Sequence, residues 1–195
     1  MKKLILLNGL CAIFLSRDAW AADTYKIDPA HSSVGFAVSH MVISTVKGKF
    51  DEFNGTVTMN NNQVQTAQGT IQTKSVNTGV ADRDKDLRSA NFFDVEKYPT
   101  ITFQTKSATK EGGNTVLAGD FTMHGVTKSL SLPVQVKGPI KDPWGNMRIG
   151  LEGNTKISRK DFGLTYNKAL ETGGLVVGDE VEIQINAEAV KSVPK

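Results

Sequence analysis

Apolar and polar residues alternate along most of the chain from residue 25 onward. In the clearest run, residues 181–189, every second position is Val, Ile or Ala, and Glu, Gln or Asn lies between them. A similar alternation occurs at 33–39, 100–104 and 130–136. A period of two directs successive side chains to opposite faces, which is typical of strands that bury one face. The pattern predicts an all-β protein.

Short turn-forming segments separate these predicted strands. Glu111-Gly112-Gly113-Asn114 predicts a tight hairpin, and Asn60-Asn61-Asn62, His124-Gly125 and Asp142-Pro143-Trp144-Gly145 predict further turns. Strands that follow one another at such short spacing favour an antiparallel sandwich or barrel.

One segment, residues 79–97, interrupts the strand pattern with a run of charges followed by aromatic residues. Thr78 is placed to cap a short helix, and Asp84 and Arg88 have the i,i+4 spacing of a helical ion pair. We therefore expect a short helical crossover that lies against or over one end of the sheet structure.

Residues 1–21 have the features of a cleavable export signal. Two lysines precede a short apolar stretch, and Ala19-Trp20-Ala21 has the A-x-A form of a cleavage site. We expect cleavage after Ala21, a periplasmic location and one domain over residues 22–195. The single cysteine, Cys11, lies in the signal, so the mature chain is expected to have no disulfide. No other apolar stretch has the length of a membrane span, and we expect a protein that does not span the membrane.

Charge and motif content favour binding over catalysis. The formal net charge is +3 without a basic run, so nucleic acid is not an expected partner. The three histidines, His31, His40 and His124, lack the spacing of a compact metal motif. No nucleophile elbow or phosphate-binding loop is found in the sequence. We expect no catalytic residues, no metal and no cofactor, and therefore not an enzyme.

A set of motifs resembles the YceI family in order over nearly the whole mature chain. The motifs are Tyr25-Lys26-Ile27-Asp28-x-x-His31-Ser32, Arg83-Asp84-x-x-Leu87-Arg88-Ser89-x-x-Phe92-Phe93-Asp94-Val95, Gly119-Asp120-Phe121-Thr122-Met123-x-Gly125-Val126-Thr127-Lys128 and Arg159-x-Asp161-Phe162-Gly163. The resemblance implies an antiparallel lipocalin-like β-barrel of about eight strands. It also implies a periplasmic binding or carrier protein for a long isoprenoid lipid, either a polyprenyl pyrophosphate or a ubiquinone-like molecule, held in the apolar interior.

Two positions depart from the family pattern. Asp86 stands where members often have a histidine, and Asn91 stands where they commonly have an aspartate. If the family histidine helps to hold a head group, Asp86 would oppose an anionic one and leave a neutral quinone less affected.

The resemblance and the strand parity together give the candidate ligand-binding residues. The apolar lining is predicted to be Phe36, Val38, Phe50, Val57, Phe103, Leu132, Val134, Ile183 and Ile185. The head group or the mouth of the barrel is assigned to His40, Arg83, Arg88, Phe92 and Phe93, because arginines bind anionic groups and aromatic residues suit an apolar mouth. Ordinary core packing is the alternative for each lining residue, and a buried histidine that bonds to a backbone carbonyl is the alternative for His40. For the two arginines, Phe92 and Phe93, the alternative is a solvated helix whose downstream aromatic residues plug the end of the barrel.

Two other functions remain open at this point. The first is an interaction module whose barrel has a filled interior and presents its loops to an unknown protein partner. The second is an enzyme that acts on a prenyl or quinone substrate with His31 or His40 as the base. Burial of a prenyl chain contributes about 0.8 kcal/mol per CH2 group, so a carrier needs no catalytic residues to bind its ligand.

Overall fold

The computed structural model describes residues 22–171, 173 and 175–192, and it confirms the predicted antiparallel β-barrel. The strands and the helix, in chain order, are β1 (Asp23–Ile27), β2 (Ser33–His40), β3 (Ser44–Phe50), β4 (Phe53–Asn60), β5 (Gln63–Gln72), β6 (Val76–Asn77), α1 (Ala81–Arg88), β7 (Thr100–Glu111), β8 (Asn114–Met123), β9 (Val126–Lys141), β10 (Met147–Ser158) and β11 (Val177–Lys191). The predicted signal, residues 1–21, lies outside the described residues.

Eight strands close the barrel in the order β1-β4-β5-β7-β8-β9-β10-β11, and β11 returns to β1. The C-terminal part of β11 pairs with β1, whereas residues 177–186 of the same strand pair with β2. Strands β3 and β6 continue from β2 at one end of the barrel. The long final strand therefore joins the closed barrel to a short extension of the sheet.

The two ends of the barrel carry different elements. The helix end has α1, the turn between β2 and β3, and the 3-10 turn Arg159–Phe162 that follows β10. The far end has the turns at 112–113 and 142–146, which join β7 to β8 and β9 to β10. The hairpin predicted at 111–114 is confirmed.

Inward-facing side chains form two apolar clusters along the barrel axis. The first contains Tyr25, Val57, Met59, Val64, Ala67, Leu117, Leu132, Val134, Ile149, Leu151 and Ala189. The second, toward the helix end, contains Phe50, Val76, Ile101, Phe121, Met123, Phe162 and Leu164. Aliphatic residues dominate the first cluster and aromatic residues are concentrated in the second, so the interior changes character along its length.

The helical crossover is confirmed, but both predicted local interactions in it are wrong. Helix α1 begins after Val80, which makes no side-chain cap. The backbone N–H and the hydroxyl of Thr78 donate to the buried Asp84 carboxylate at 2.8 and 2.6 Å. Arg88 instead donates to the backbone carbonyls of Lys74, in the 3-10 turn Thr73–Ser75, and of Val76, in β6. Asp84 bonds to Thr78 and not to Arg88 because its carboxylate is buried, and a buried carboxylate needs hydrogen-bond donors within direct reach.

Candidate ligand-binding interior

Two adjoining cavities lie inside the barrel. The first, with a volume of about 140 Å³, occupies the middle, and the second, of about 110 Å³, lies toward the helix end. Five residues line both cavities: Val34, Ile71, Ile101, Phe121 and Ile183. The partition between the cavities is therefore made of apolar side chains from five different strands.

All nine residues predicted to form the apolar lining lie on the walls of these cavities. Val57, Phe103, Leu132, Val134 and Ile185 line the first cavity, Phe36, Val38 and Phe50 line the second, and Ile183 lines both. Strand parity was sufficient to place them, because period-two alternation determines which side chains point inward. Whether they contact a ligand stays a prediction.

The first cavity owes part of its space to Gly69, which the sequence analysis did not single out. Gly55 of β4 and Gly69 of β5 are directly paired across the strands. Gly69 shares its parity with Ala67 and Ile71, which line the same cavity. A Cβ atom built on Gly69 would have only the Asn54 carbonyl oxygen within 4 Å, at 3.7 Å. The missing side chain of Gly69 leaves open space beside the β4–β5 wall, whereas a Cβ atom on Gly55 would lie only 2.7 Å from the Gln68 carbonyl oxygen.

Aromatic rings enclose the second cavity toward the helix end. Phe50 lies 5.7 Å from Phe36 and 5.7 Å from Phe93, measured between ring centroids. Phe92 packs edge-on against Tyr166 at 5.3 Å. Phe92 and Phe93, both predicted at the mouth, therefore lie on the wall of this cavity as part of an aromatic cover.

The three polar residues predicted at the mouth lie off the cavity walls formed by the described residues. Arg83 donates from Nε to the Thr78 hydroxyl at 2.7 Å and from Nη2 to the Thr78 carbonyl at 3.1 Å. Arg88 donates to the carbonyls of Lys74 and Val76, each at 2.7 Å. These bonds fasten α1 to the segment before it. Contact of either guanidinium with a head group stays a prediction.

His40 and the two departures from the family pattern lie close to the surface. His40 is half-buried at the end of β2, in register with Val177 and Ser44. Asp86 is exposed and accepts a hydrogen bond of 3.3 Å from the Asn91 amide. The two departures thus contact each other outside the cavity walls, so the Asp86 charge does not face the interior.

Arg159 is the functional candidate that the sequence analysis missed. It is 3% exposed, and it is the only charged residue among the described residues that line the two cavities. Its guanidinium donates to the carbonyls of Leu164, Tyr166 and Gly178 at 2.6 to 2.9 Å. The Nη2 atom has longer contacts, 3.5 Å to the Val177 carbonyl and 3.4 Å to Asp179.

Burial lowers the pKa of Arg159, and the nearby Asp179 carboxylate opposes this shift. The guanidinium still keeps its charge at neutral pH, because arginine does not lose its proton in proteins. Strand parity offers the signal that could have found it. Arg159 continues the inward series of Ile149, Leu151 and Ile157 in β10, where a charged residue is unexpected.

A separate ionic cluster lies outside the cavities. Among the described residues, Asp28, His31 and Glu188 are grouped closely enough to share a metal ion. The Arg148 guanidinium already lies between the two carboxylates, 3.0 Å from Asp28 and 2.6 Å from Glu188. Arg148 thus supplies the positive charge, and the group is best described as an ion-pair network.

Asp142 completes this network at 2.7 Å from Arg148. Burial alone would raise the pKa of Asp142, but hydrogen bonds from Arg148, from the Asn146 side chain and from two backbone N–H groups outweigh it and lower the pKa to about 2. Hydrogen bonds to the carboxylates of Asp142, Asp28 and Glu188 raise the pKa of Arg148. His31 contributes a bond of 2.9 Å to Asp28, and this bond is the main cause of the lowered pKa of that carboxyl group.

Within the part of the chain that the structure describes, every helix is too short or too polar to cross a membrane.

Comparison with known proteins identifies the family. The profile of the YceI-like domain matches residues 25–189. Protein YceI of Salmonella newport is 37% identical over 195 residues, which cover 98% of this chain and 99% of that protein. The Campylobacter jejuni YCEI protein superposes with a TM-score of 0.69 at 30% identity, over 80% of this chain and 90% of that one.

Two more distant structures share the fold. Burkholderia cenocepacia BcnA superposes with a TM-score of 0.73 at 23% identity, over 83% of this chain and 98% of that one. A polyisoprenoid binding domain from Saccharophagus degradans, implicated in plant cell wall breakdown, superposes with a TM-score of 0.64 at 20% identity, over 86% of this chain and 98% of that one. With the barrel, the ordered motifs and the domain match in agreement, this chain belongs to the YceI-like family.

Proposed function

We propose that this protein binds a long isoprenoid lipid inside its barrel and carries it through the periplasm without chemical change. The observation that carries the proposal is the pair of adjoining cavities, whose walls are apolar apart from Arg159 and a few uncharged polar residues. Similarity to the Saccharophagus degradans polyisoprenoid binding domain adds support through the shared barrel. The signal-like features of residues 1–21 support export. N-terminal sequencing of protein isolated from the periplasmic fraction tests export, and we expect the first residue to be Ala22.

The tail of the ligand is proposed to run through both cavities. The two cavities together provide about 250 Å³, less than the roughly 300–1,000 Å³ typical of pockets for drug-sized ligands, so a long tail must also displace lining side chains. Their shared partition consists of inward-pointing side chains, so rotamer changes at Phe121 and Ile183 would join them without moving the strands. Each CH2 group buried there contributes about 0.8 kcal/mol, so the affinity grows with the length of the accommodated tail.

The polar end of the ligand is proposed to lie in the second cavity beside Arg159. The guanidinium is buried, charged and held mainly by neutral carbonyls, while Asp179 lies 3.4 Å from Nη2. Nη2 has the longest hydrogen bonds of the group and is therefore the donor that can turn to a ligand oxygen with least loss. Both a pyrophosphate and a quinone carbonyl provide such an oxygen.

Two observations favour this function over the alternatives. A filled interaction module requires an interior without free space, whereas this barrel has two cavities. An enzyme with a histidine base requires that base beside the substrate. His31 is exposed and bonded to Asp28, and His40 lies off the walls formed by the described residues.

Uptake of prenyl compounds by the delipidated mature protein tests the proposal. Native mass spectrometry would be used with farnesol, geranylgeraniol and a short-tail ubiquinone, with octanol as the control for non-specific apolar binding. We expect one molecule bound per barrel, with affinity that rises with the number of prenyl units. Absence of binding to all three prenyl compounds by folded protein would contradict the proposal.

A further inference from the structure

We propose that the turn between β2 and β3 docks onto the surface of a lipid bilayer. Its three residues, Met41, Val42 and Ile43, are called the apolar tip below. Docking itself can be tested without any ligand. Its purpose, exchange of a lipid between membrane and barrel, rests on the proposed function.

The apolar tip exposes large side chains at consecutive positions. Val42 is 75% exposed, Ile43 is 83% exposed and Met41 is 37% exposed. The Met41 N–H donates to the Val176 carbonyl at 2.8 Å. This bond brings the neighbouring residue Leu175, which is 38% exposed, close to the apolar tip. Single exposed apolar residues are normal on proteins, but a contiguous projecting group indicates a binding surface.

The backbone of the apolar tip is a second, independent observation. Met41 and Val42 have φ angles of 50° and 64°, in the left-handed region that disfavours β-branched residues. Two other turns of this chain adopt similar angles with residues that suit them, Asn61-Asn62 at 49° and 60° and His124-Gly125 at 52° and 75°. A Met-Val pair in this conformation is costly for folding, which indicates a role outside it.

The two strands that carry the apolar tip contribute basic but no acidic side chains. From Pro29 to Phe50 the sequence has no Asp or Glu, and it carries Lys47 and Lys49 on β3. Lys49 pairs with Asp51 beyond the end of that strand, and α1 brings the exposed Asp82, Lys85 and Asp86 to the same end of the barrel. Apolar side chains that enter the head-group region, flanked by lysines, form the usual combination of peripheral membrane contacts.

The apolar tip is continuous with the second cavity. Val38, two residues before the end of β2, lines that cavity, and so does Val177, which is in register with His40. A bilayer that receives the apolar tip would therefore meet the helix end of the barrel, where the aromatic cover lies. An apolar ligand could then pass between membrane and barrel with little exposure to water.

The size of this surface favours a membrane over a protein partner. A stable protein interface buries about 800 Å² on each side, with some 20–30 residues. The apolar tip and Leu175 provide four apolar side chains on a narrow projection. Such a projection can enter a lipid surface, which has no fixed shape to match.

The test is flotation of the ligand-free mature protein with vesicles of phosphatidylethanolamine and phosphatidylglycerol. The variant is Val42→Ser with Ile43→Ser. The matched control is Ile140→Ser with Trp144→Ser, which removes two apolar residues of similar exposure, 63% and 81%, at the far end of the barrel. We expect the wild type and the control to float, and the tip variant to lose at least tenfold of its bound fraction with an unchanged Tm.

Three results would overturn docking: a wild type that does not float, a tip variant that floats as well as the wild type, or a control variant that loses binding equally. Gel filtration of the same proteins tests whether a second copy of the chain occupies this surface instead. A wild type that is dimeric and does not float, together with a monomeric tip variant, would assign the surface to a second copy. Uptake of geranylgeraniol in solution separates the two proposals. The tip variant is expected to bind it as the wild type does, whereas failure of uptake by a wild type that floats would contradict the carrier function alone.

Discussion

Replacement of Gly69 by leucine is expected to block the first cavity while leaving the barrel folded. The backbone of Gly69 is extended, and a Cβ atom there meets no atom closer than 3.7 Å. The side chain would follow the direction of Ala67 and Ile71 into the cavity of about 140 Å³. The substitution therefore places four new carbon atoms in the space assigned to the ligand tail.

The magnitude follows from the carbons displaced. If the leucine excludes about four ligand carbons at about 0.8 kcal/mol each, binding weakens by about 3 kcal/mol. That loss corresponds to roughly a 200-fold increase in Kd. The stability of the fold is expected to fall by no more than about 1 kcal/mol, because burial of the leucine offsets any strain from the added volume.

Isothermal titration with geranylgeraniol, together with urea unfolding, would measure both quantities. The matched control is Gln104→Leu, which adds the same side chain to the exposed outer face of the neighbouring strand β7 and lies off both cavity walls. We expect the control to bind as the wild type does. Equal affinity of the Gly69→Leu variant and the wild type, with both folded, would refute the assignment of the first cavity to the ligand.

Three further predictions concern the charged residues. Arg159→Met is expected to lower the free energy of unfolding in urea by roughly 3 kcal/mol, since it leaves buried carbonyls without donors. The variant is also expected to lose the preference for binding geranylgeraniol over squalene, and a retained preference would show that Arg159 does not hold the polar end of the ligand. Replacement of both Arg83 and Arg88 by glutamine tests their predicted head-group role. That role predicts weaker binding of geranylgeranyl diphosphate and unchanged binding of geranylgeraniol, and unchanged binding of both ligands refutes it. The pKa of Asp142 is about 2 in the folded protein and near 3.8 when unperturbed, so its contribution to stability is present above pH 4 and is lost as the pH falls toward 2. The Tm of Asp142→Asn should therefore fall less steeply than that of the wild type between pH 5 and pH 2, and parallel curves would contradict this.

The inward-facing residues could be predicted because alternation is a local property of the sequence. Phe36, Val57 and Ile183 lie on cavity walls as strand parity indicated. The same parity includes Gly69 and Arg159, yet neither residue is apolar enough to attract notice in a search for a buried face. Positions that strand parity directs inward are therefore candidates for the site even when they hold a glycine or a charged residue.

Contacts between segments distant in the sequence could not be predicted in the same way. Arg88 has a favourable spacing to Asp84, but its guanidinium reaches carbonyls of Lys74 and Val76, more than ten residues away. The space beside Gly69 depends on the pairing of β5 with β4, where Gly69 lies opposite Gly55, and this pairing is a consequence of strand register. The free volume of a core results from the fit of all its side chains, so alternation alone cannot distinguish a filled barrel from an open one.

Mass spectrometry of an organic extract tests the central claim most directly. The protein would be purified without detergent from the cells that produce it, alongside the Gly69→Leu and Gln104→Leu variants. We predict a near-stoichiometric prenyl lipid or quinone in the wild type and in Gln104→Leu, with little in Gly69→Leu. An apolar molecule present equally in all three proteins, or an isoprenoid-free extract from a wild type that also takes up no added prenyl compound, would contradict the account.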